Sequence, residues 1–531
     1  MSRTRRQFLK SAALAPLGTS LLSPVTATSS EQPSAAGGFQ LPSTPRDPTQ
    51  TLDVALFSDV EDIFSPPELG NDDSIKQLAD ILTEERLRAN FLVIGDRAVS
   101  LRERRRQDVI DSLGPHEVGL HTRSARHPEV PEYVAGKSWD EAVAECLKRE
   151  REGTEIIRDV FGKPCTALSM HYLYSAPHSH RVAAMLGMPF VYGYPSAPPH
   201  YGLSWYAGSL CLPYLSPTLR NAPLLSYFEG FDDNYPDDKL FEQIVQVFNK
   251  HVDACLTDGQ PYLTLFLYHP QRLRNSNFID IYWSPNGVNY PKKLWGKFGR
   301  PPQYSRDQVE KSLANFRRLA RMIRNDPRLH VMTLSEIKQK YGKQPKAISR
   351  EELVVACRQI AASDQILMNS RFSPAEVLVG MAHCIVAESD TGQIPNEVPR
   401  QDILGPMQSP IWIPELQGCS NSRLIEFARL LLDHVKITST LPATFGPPLE
   451  RVGINHLYRA FADVCLTRNS GSSGGDIKFR RTPPWPEIGP EIGIRYFRAV
   501  EGELVDPELD MYTLYRDGKL QSWTLKPASV I

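Results

Sequence analysis

The stretch PHEVGLHTRSARHP, Pro115 to Pro128, sets two histidines, His121 and His127, six residues apart after the apolar run Val118-Gly119-Leu120. An imidazole that ends a buried strand needs a polar partner, so the pair reads as chemistry placed at a strand end. Two other stretches read the same way. SDVED, Ser58 to Asp62, closes an apolar run and leaves Asp59, Glu61 and Asp62 at its end; LFLYHP, Leu265 to Pro270, closes another and leaves His269. Imidazoles and a carboxylate converging from separate strand ends suit a catalytic divalent metal with positions open for water and substrate. Nitrogen donors favour zinc, and a mixed N/O set also accepts cobalt, nickel or iron.

Outward from these stretches, strands and helices alternate. Asp53 to Ser58 predicts a buried strand, and Asn71-Asp72-Asp73 offers capping groups for a helix whose Ile75, Leu78, Ile81 and Leu82 share a face. Ala89 to Ile94 predicts the next strand, RERRRQDVIDSL a surface helix, and Ser138 to Phe161 a longer one. Further strands are predicted at Thr166 to Met170, Phe190 to Tyr194, Tyr262 to Tyr268 and His330 to Leu334. This alternation predicts an α/β fold of parallel βαβ units with barrel-like closure, whose active site lies at the C-terminal ends of the strands. From Ile348 the pattern is all-helical, with helical spacing over Glu351 to Ala361, Pro374 to Ala387, Ser422 to Val435 and Arg451 to Leu466. The run NSGSSGG, Asn469 to Gly475, is a flexible break. Beyond it, Asp517-Gly518 predicts the turn of a hairpin over Met511 to Leu525.

A chain of 531 residues exceeds what one core supports. A formal net charge of -1 supplies no basic field for nucleic acid. The N-terminus, Thr4-Arg5-Arg6-Gln7-Phe8-Leu9-Lys10, is followed by a short apolar run and Val25-Thr26-Ala27. It resembles a twin-arginine signal over residues 1–27, with export to the periplasm or beyond as the expectation. No later segment reaches 18 consecutive apolar residues, so the mature protein is expected to carry no membrane span. Residues 28–50 read as a disordered linker. The eight cysteines include no C-x-x-C pair and read as buried thiols.

In order along the chain, FSDVEDIF, ANFLVIGDRA, HEVGLHTRSARHP, LTLFLYHP and VMTLSEIKQKYG resemble the motif series of the NodB-like polysaccharide deacetylases, carbohydrate esterases with a distorted (β/α) barrel. The resemblance covers residues 51–341. It implies Asp59 as general base, His269 as general acid, and His121, His127 and Asp62 as metal ligands, with Glu61 as the alternative carboxylate. It implies a divalent ion, Zn2+ first and Co2+, Ni2+ or Fe2+ as alternatives, and hydrolysis of N-acetyl groups on the amino sugars of a polysaccharide or glycan. The chain departs from the family's pattern in three places. The adjacent acid pair appears as Asp-Val-Glu-Asp, the histidine interval is longer, and TALSMHYLYSAP, Thr166 to Pro177, stands where an Arg-x-Pro motif is expected.

These departures leave two rivals open: a degenerate barrel that binds carbohydrate without catalysis, and a metal hydrolase of O-acyl or non-sugar C–N bonds. Tyr172, Tyr174, Tyr192, Tyr194, Tyr201, Trp205 and Tyr206, then Asp232, Asp233, Asp237 and Asp238, with Trp283 and Trp295 after His269, suit a sugar-binding cleft. The pair His178-x-His180, beside a helix start at Pro177, reads as a surface cap. Phe372 to Pro406, within a helical module over 348–468, resembles a pseudomurein-binding-type repeat, which implies attachment to a cell wall or polymer. Residues 469–531 are expected to form a Gly/Ser linker and the hairpin tail.

Overall fold

The computed structural model describes residues 51–63, 65–125, 128–170, 176–192, 203–212, 232, 234–257, 262–276, 302–363, 365–367, 369, 371–411, 418–446, 451–471, 476–486 and 510–528. At its centre is β1 (Leu52–Val60), buried at every residue. β2 (Asn90–Val93), β3 (Glu117–Leu120), β4 (Ala167–Ser169) and β5 (Phe190–Tyr192) follow it outward in parallel order. β6 (Ser204–Tyr206) and β7 (Ser209–Leu212) form a hairpin whose second strand lies parallel to β5. On the other edge of β1 lies β8 (Tyr262–Tyr268), and β9 (Leu329–Val331) pairs with the first residues of β1. The sheet is a curled half-barrel with helices packed on it, and among the described residues its ladder stays open rather than closing on itself.

The apolar strands need cover on both faces, and amphipathic helices supply it. They include α1 (Asn71–Glu84), α2 (Gly95–Glu103), α3 (Trp139–Phe161), α4 (Pro177–Met185), α5 (Asp238–Thr257) and α6 (Arg306–Asn325). Ser138 and Ser305 cap α3 and α6 through reciprocal capping boxes. The single surface helix expected over the Arg-rich stretch is two, α2 and a short helix over Gln107–Ser112, because Arg105 takes a left-handed conformation at φ 56° between them. The last expected strand stops at Val331, since Thr333 caps a helix over Leu334–Tyr341 instead.

Residues beyond the half-barrel build a second core. α7 (Arg350–Ala361), α8 (Pro374–Thr391), α9 (Asn421–Thr438) and α10 (Ile454–Asn469) pack around Leu378, Phe427 and Leu457. The expected hairpin at the C-terminus is instead α11 (Met511–Gln521), a 3-10 turn over Ser522–Thr524, and a two-residue strand, β10 (Lys526–Pro527), antiparallel to β6. Asp510 caps α11 by accepting the Thr513 N–H at 3.2 Å, and Leu514 and Leu520 are buried. Gly518 sits inside α11 with its carbonyl accepting the Tyr206 hydroxyl at 3.0 Å, so packing overrides the turn preference of Asp-Gly. Trp523 enters the helical core, whereas Leu525 packs with Trp139 and Tyr206 of the half-barrel. Among the described residues no helix is long and apolar enough to cross a membrane.

Candidate active site

Parallel register delivers the polar strand ends to one place. Asp59 stands opposite Leu92 and Val60 opposite Val93, and Val93 stands opposite Leu120, so β1, β2 and β3 end level. His121 follows at once. On the other edge the β1–β8 register shifts between Phe57 and Ser58, where Ser58 meets Tyr268 rather than Leu267. Such a bulge re-aims the residues after it. The Ser58 hydroxyl donates to the Tyr268 carbonyl at 2.7 Å and holds the shifted register.

Four side chains, all nearly buried, converge there. His121 Nε2 lies 3.8 Å from Asp59 Oδ2 and 3.5 Å from Glu61 Oε2. His269 Nε2 lies 3.9 Å from Asp59 Oδ2 and 3.8 Å from Glu61 Oε1. Each carboxylate thus faces both imidazoles. Behind His269 stands Asp232, whose Oδ2 is 2.5 Å from Nδ1 and whose Oδ1 accepts the His269 backbone N–H at 2.9 Å. Burial alone would push the His269 pKa down. The negative charges of Asp232, Glu61 and Asp59 and the Asp232 hydrogen bond outweigh it and hold the imidazole up at about 9.

Asp62 is bonded into the loop after β1 and to α1. Its carboxylate accepts the Ser65 N–H at 3.0 Å, the Ser65 hydroxyl and the Asn71 amide at 2.8 Å. His127 lies outside the described residues, as do Tyr172, Tyr174, Tyr194, Tyr201, Asp233, Trp283 and Trp295. Tyr206 is buried and bonded to Gly518, so it faces packing rather than a cleft.

The loop after His121 is held from below. Thr122 takes φ 63°, a costly conformation for a β-branched residue, and its hydroxyl donates to the His121 carbonyl at 2.6 Å. Glu150 accepts the Arg123 N–H at 2.9 Å and the Tyr133 hydroxyl at 3.1 Å. Gly95 lets this loop approach, since a Cβ there would stand 2.7 Å from the Arg123 carbonyl oxygen.

The pair expected as a surface cap is buried instead. His178 lies 3.3 Å from Asp517 and packs on Trp139, and His180 meets Ser209 and Cys211. The residues that sequence reasoning placed wrongly or missed at the site are Asp232, grouped there with sugar-binding acids, and Gln271, which donates to Glu61 at 3.0 Å. Their only signal was position: Gln271 sits two residues after His269, and Asp232 has no local mark.

The donors fit a divalent ion in kind. Donor atoms bound at about 2.1 Å in tetrahedral arrangement stand about 3.4 Å apart, close to the 3.5 Å between His121 and Glu61. Among the described residues, however, no group of three or more His, Cys, Asp or Glu is arranged to hold an ion by itself. A full ligand set therefore calls for a donor from outside them.

No family model matches the sequence, and no curated protein matches it. Among solved structures, the 4-alpha-glucanotransferase from Thermococcus litoralis is 11% identical with a TM-score of 0.35, over 55% of this chain and 41% of that one. This chain therefore spans less than half of that enzyme's length. A peptidoglycan deacetylase from Bacillus subtilis is 16% identical with a TM-score of 0.23, over 55% of this chain and 92% of that one. A CE4 family pseudoenzyme from Bacillus anthracis is 15% identical with a TM-score of 0.20, over 27% and 44%. Likenesses of this size decide no activity.

Proposed function

We propose that this protein is an exported, metal-dependent deacetylase that hydrolyses N-acetyl groups on the amino sugars of a polysaccharide or glycan. The observation that carries the reading is the buried convergence of Asp59, Glu61, His121 and His269 at the strand ends, with Asp232 behind His269. His121 and His127 would hold the ion together with Asp62 or Glu61. When bound, a divalent ion, zinc or else cobalt, nickel or iron(II), supplies a Lewis acid that lowers the pKa of water and polarises the acetyl carbonyl.

The chain's own residues divide the proton work. Asp59 takes a proton from the attacking water. His269, held protonated at neutral pH, gives one to the leaving amine as the C–N bond breaks. Asp232 fixes the ring so that Nε2 faces the centre, and its charge stabilises the imidazolium. The products are acetate and a free amino sugar. Export rests on the twin-arginine stretch Thr4 to Lys10, and polymer attachment on the helical module at 348–468.

One observation favours a second reading, a barrel that binds glycans without catalysis: Asp62, a ligand that the resemblance implies, is bonded to Ser65 and Asn71. Metal analysis of the protein as purified, with an acetate-release screen across N- and O-acetylated glycans, separates the two. Bound metal with acetate from N-acetylated sugars is expected. Carbohydrate affinity with neither metal nor acetate would sink the deacetylase, and release from O-acetyl substrates alone would move the activity to esters.

A further inference from the structure

We propose that Cys357 and Cys465 form a dithiol site in the helical core that closes to a disulfide when it meets an oxidising disulfide reagent, and so ties α7 to α10. The inference concerns the second core and stands apart from the hydrolase reading above.

The eight cysteines follow no short-range pattern in the sequence, yet Cys357, Cys384 and Cys465 line one cavity. They come from α7, α8 and α10, three helices that pack on one another. The cavity holds about 20 Å3, the room of a single water molecule. A small-molecule ligand needs far more space. Among the described residues, moreover, no group of three or more His, Cys, Asp or Glu is arranged to hold an ion. What these thiols can do is react with one another.

Cys357 and Cys465 are the pair in contact. The Cys357 thiol bonds with that of Cys465, and this bond together with burial holds the Cys465 thiol well above its ordinary pKa. Burial pushes Cys384 up to about 12, and the neighbouring Cys465 adds to the shift. Buried thiols of this kind stay protonated and react slowly, so the order of reaction follows access and local charge. Cys465 is half-buried, whereas Cys357 and Cys384 are buried. The Arg468 guanidinium, one turn further along α10, favours its thiolate. Polar bonds close the rim around the sulfur atoms: Arg350 donates to the Asn469 side-chain oxygen at 3.0 and 2.7 Å, and Arg468 pairs with Glu388 at 2.5 Å.

The chemistry is thiol–disulfide exchange. Cys465 Sγ, as thiolate, attacks one sulfur of the reagent disulfide; that S–S bond breaks, and the thiolate expelled takes up the proton that Cys465 lost. Cys357 Sγ then attacks the Cys465 sulfur of the mixed disulfide, and the second reagent thiol leaves with the Cys357 proton. Two protein thiols are oxidised to one disulfide, and one reagent disulfide is reduced to two thiols. The bond closes a long loop that holds most of the helical core, which restricts the unfolded chain. Export of the kind proposed above would carry the dithiol into a compartment where such bonds persist.

The full chain, incubated with oxidised glutathione without denaturant, then alkylated and digested, tests the proposal. Wild type is expected to lose about 2 Da and to yield one linked peptide pair containing Cys357 and Cys465. Cys384→Ala is expected to give the same link, Cys465→Ala none, and Cys357→Ala a glutathione adduct on Cys465. The Tm of the helical core is expected to rise by about 5 °C or more on oxidation and to return with dithiothreitol. Eight thiols left free, a link through Cys384, or a Tm unmoved by the link overturns the proposal. Should Cys357→Ala fail to fold, the linked peptides of wild type and Cys384→Ala decide it.

Discussion

Nδ1 of His269 lies 2.5 Å from Oδ2 of Asp232, and the same carboxylate accepts the His269 backbone N–H at 2.9 Å through Oδ1. Two bonds from one carboxylate fix both the tautomer and the plane of the ring. The Asp232 charge and its bond to Nδ1, with the charges of Glu61 and Asp59, also hold the imidazole pKa up at about 9, although burial opposes its charge. Asp232→Asn should therefore move the basic limb of the kcat profile down from about 9 and reduce turnover by roughly 100-fold. The folded pKa is raised, so the linked stability is fully present below about 6.5 and lost as pH rises through about 9. Denaturant titrations at pH 6 and pH 10 should show wild type and variant differing more at the lower value. An unmoved basic limb would assign the acid to another group.

Asp59 and His121 should part company when each is removed. Asp59 faces both imidazoles at 3.8 and 3.9 Å and is assigned the base, so Asp59→Asn should retain metal and lose turnover by a factor of about 10²–10⁴. His121 is assigned a ligand, so His121→Ala should lose the metal itself. Metal content by mass spectrometry beside acetate release reads both. Wild-type activity in both variants would mean that the site has been misassigned.

Where the site lies was legible because register follows from strand pattern. Apolar runs ending in Asp59, His121 and His269 predict strands that end side by side, and the two imidazoles stand 3.8 and 3.9 Å from Asp59. What lay beyond reach was set by contacts distant in sequence. Asp232 is separated from His269 by 37 positions, and neither its flanks nor its spacing mark it as the ring's partner. The bulge opposite Ser58, which decides where His269 points, leaves no trace in the Leu265 to Tyr268 run. Asp517-Gly518 carries a strong turn signal, yet Asp510 starts a helix through it and Tyr206 bonds its carbonyl. His178 and His180 read as exposed because the C-terminal segment that buries His178 is more than 300 residues away.

Glu150 should give the fold a measurable pH dependence. Burial pushes its carboxyl up to about 7, against the hydrogen bonds from Tyr133 and the Arg123 N–H. Between about 4.5 and 7 the folded state binds more protons than the unfolded one, so stability falls as pH rises through that window. The total is on the order of 3 kcal/mol. Glu150→Gln keeps an acceptor for Arg123 and carries no charge, so its unfolding free energy should lose this slope and exceed wild type at pH 8. Parallel pH profiles for the two proteins would show that Glu150 ionises as an ordinary carboxyl.

The C-terminal segment should act as a brace between the two cores. Trp523 is fully buried among residues of the helical region, stacks edge-on against Tyr458 at 5.5 Å and donates its indole N–H to the Pro484 carbonyl at 3.1 Å. Three residues later the Lys526 ammonium meets the buried Glu376 carboxylate at 2.5 Å, while its backbone joins the sheet beside Trp205. Removing the indole leaves a cavity and an unmatched carbonyl, at a cost of about 3–5 kcal/mol. Because the same few residues pair with β6 and bury Leu525 against Trp139, that loss should reach the half-barrel. Calorimetry of Trp523→Ala should therefore show both parts unfolding at lower temperature. A drop confined to one transition, with the other at its wild-type Tm, would mean that the segment only caps the helical core.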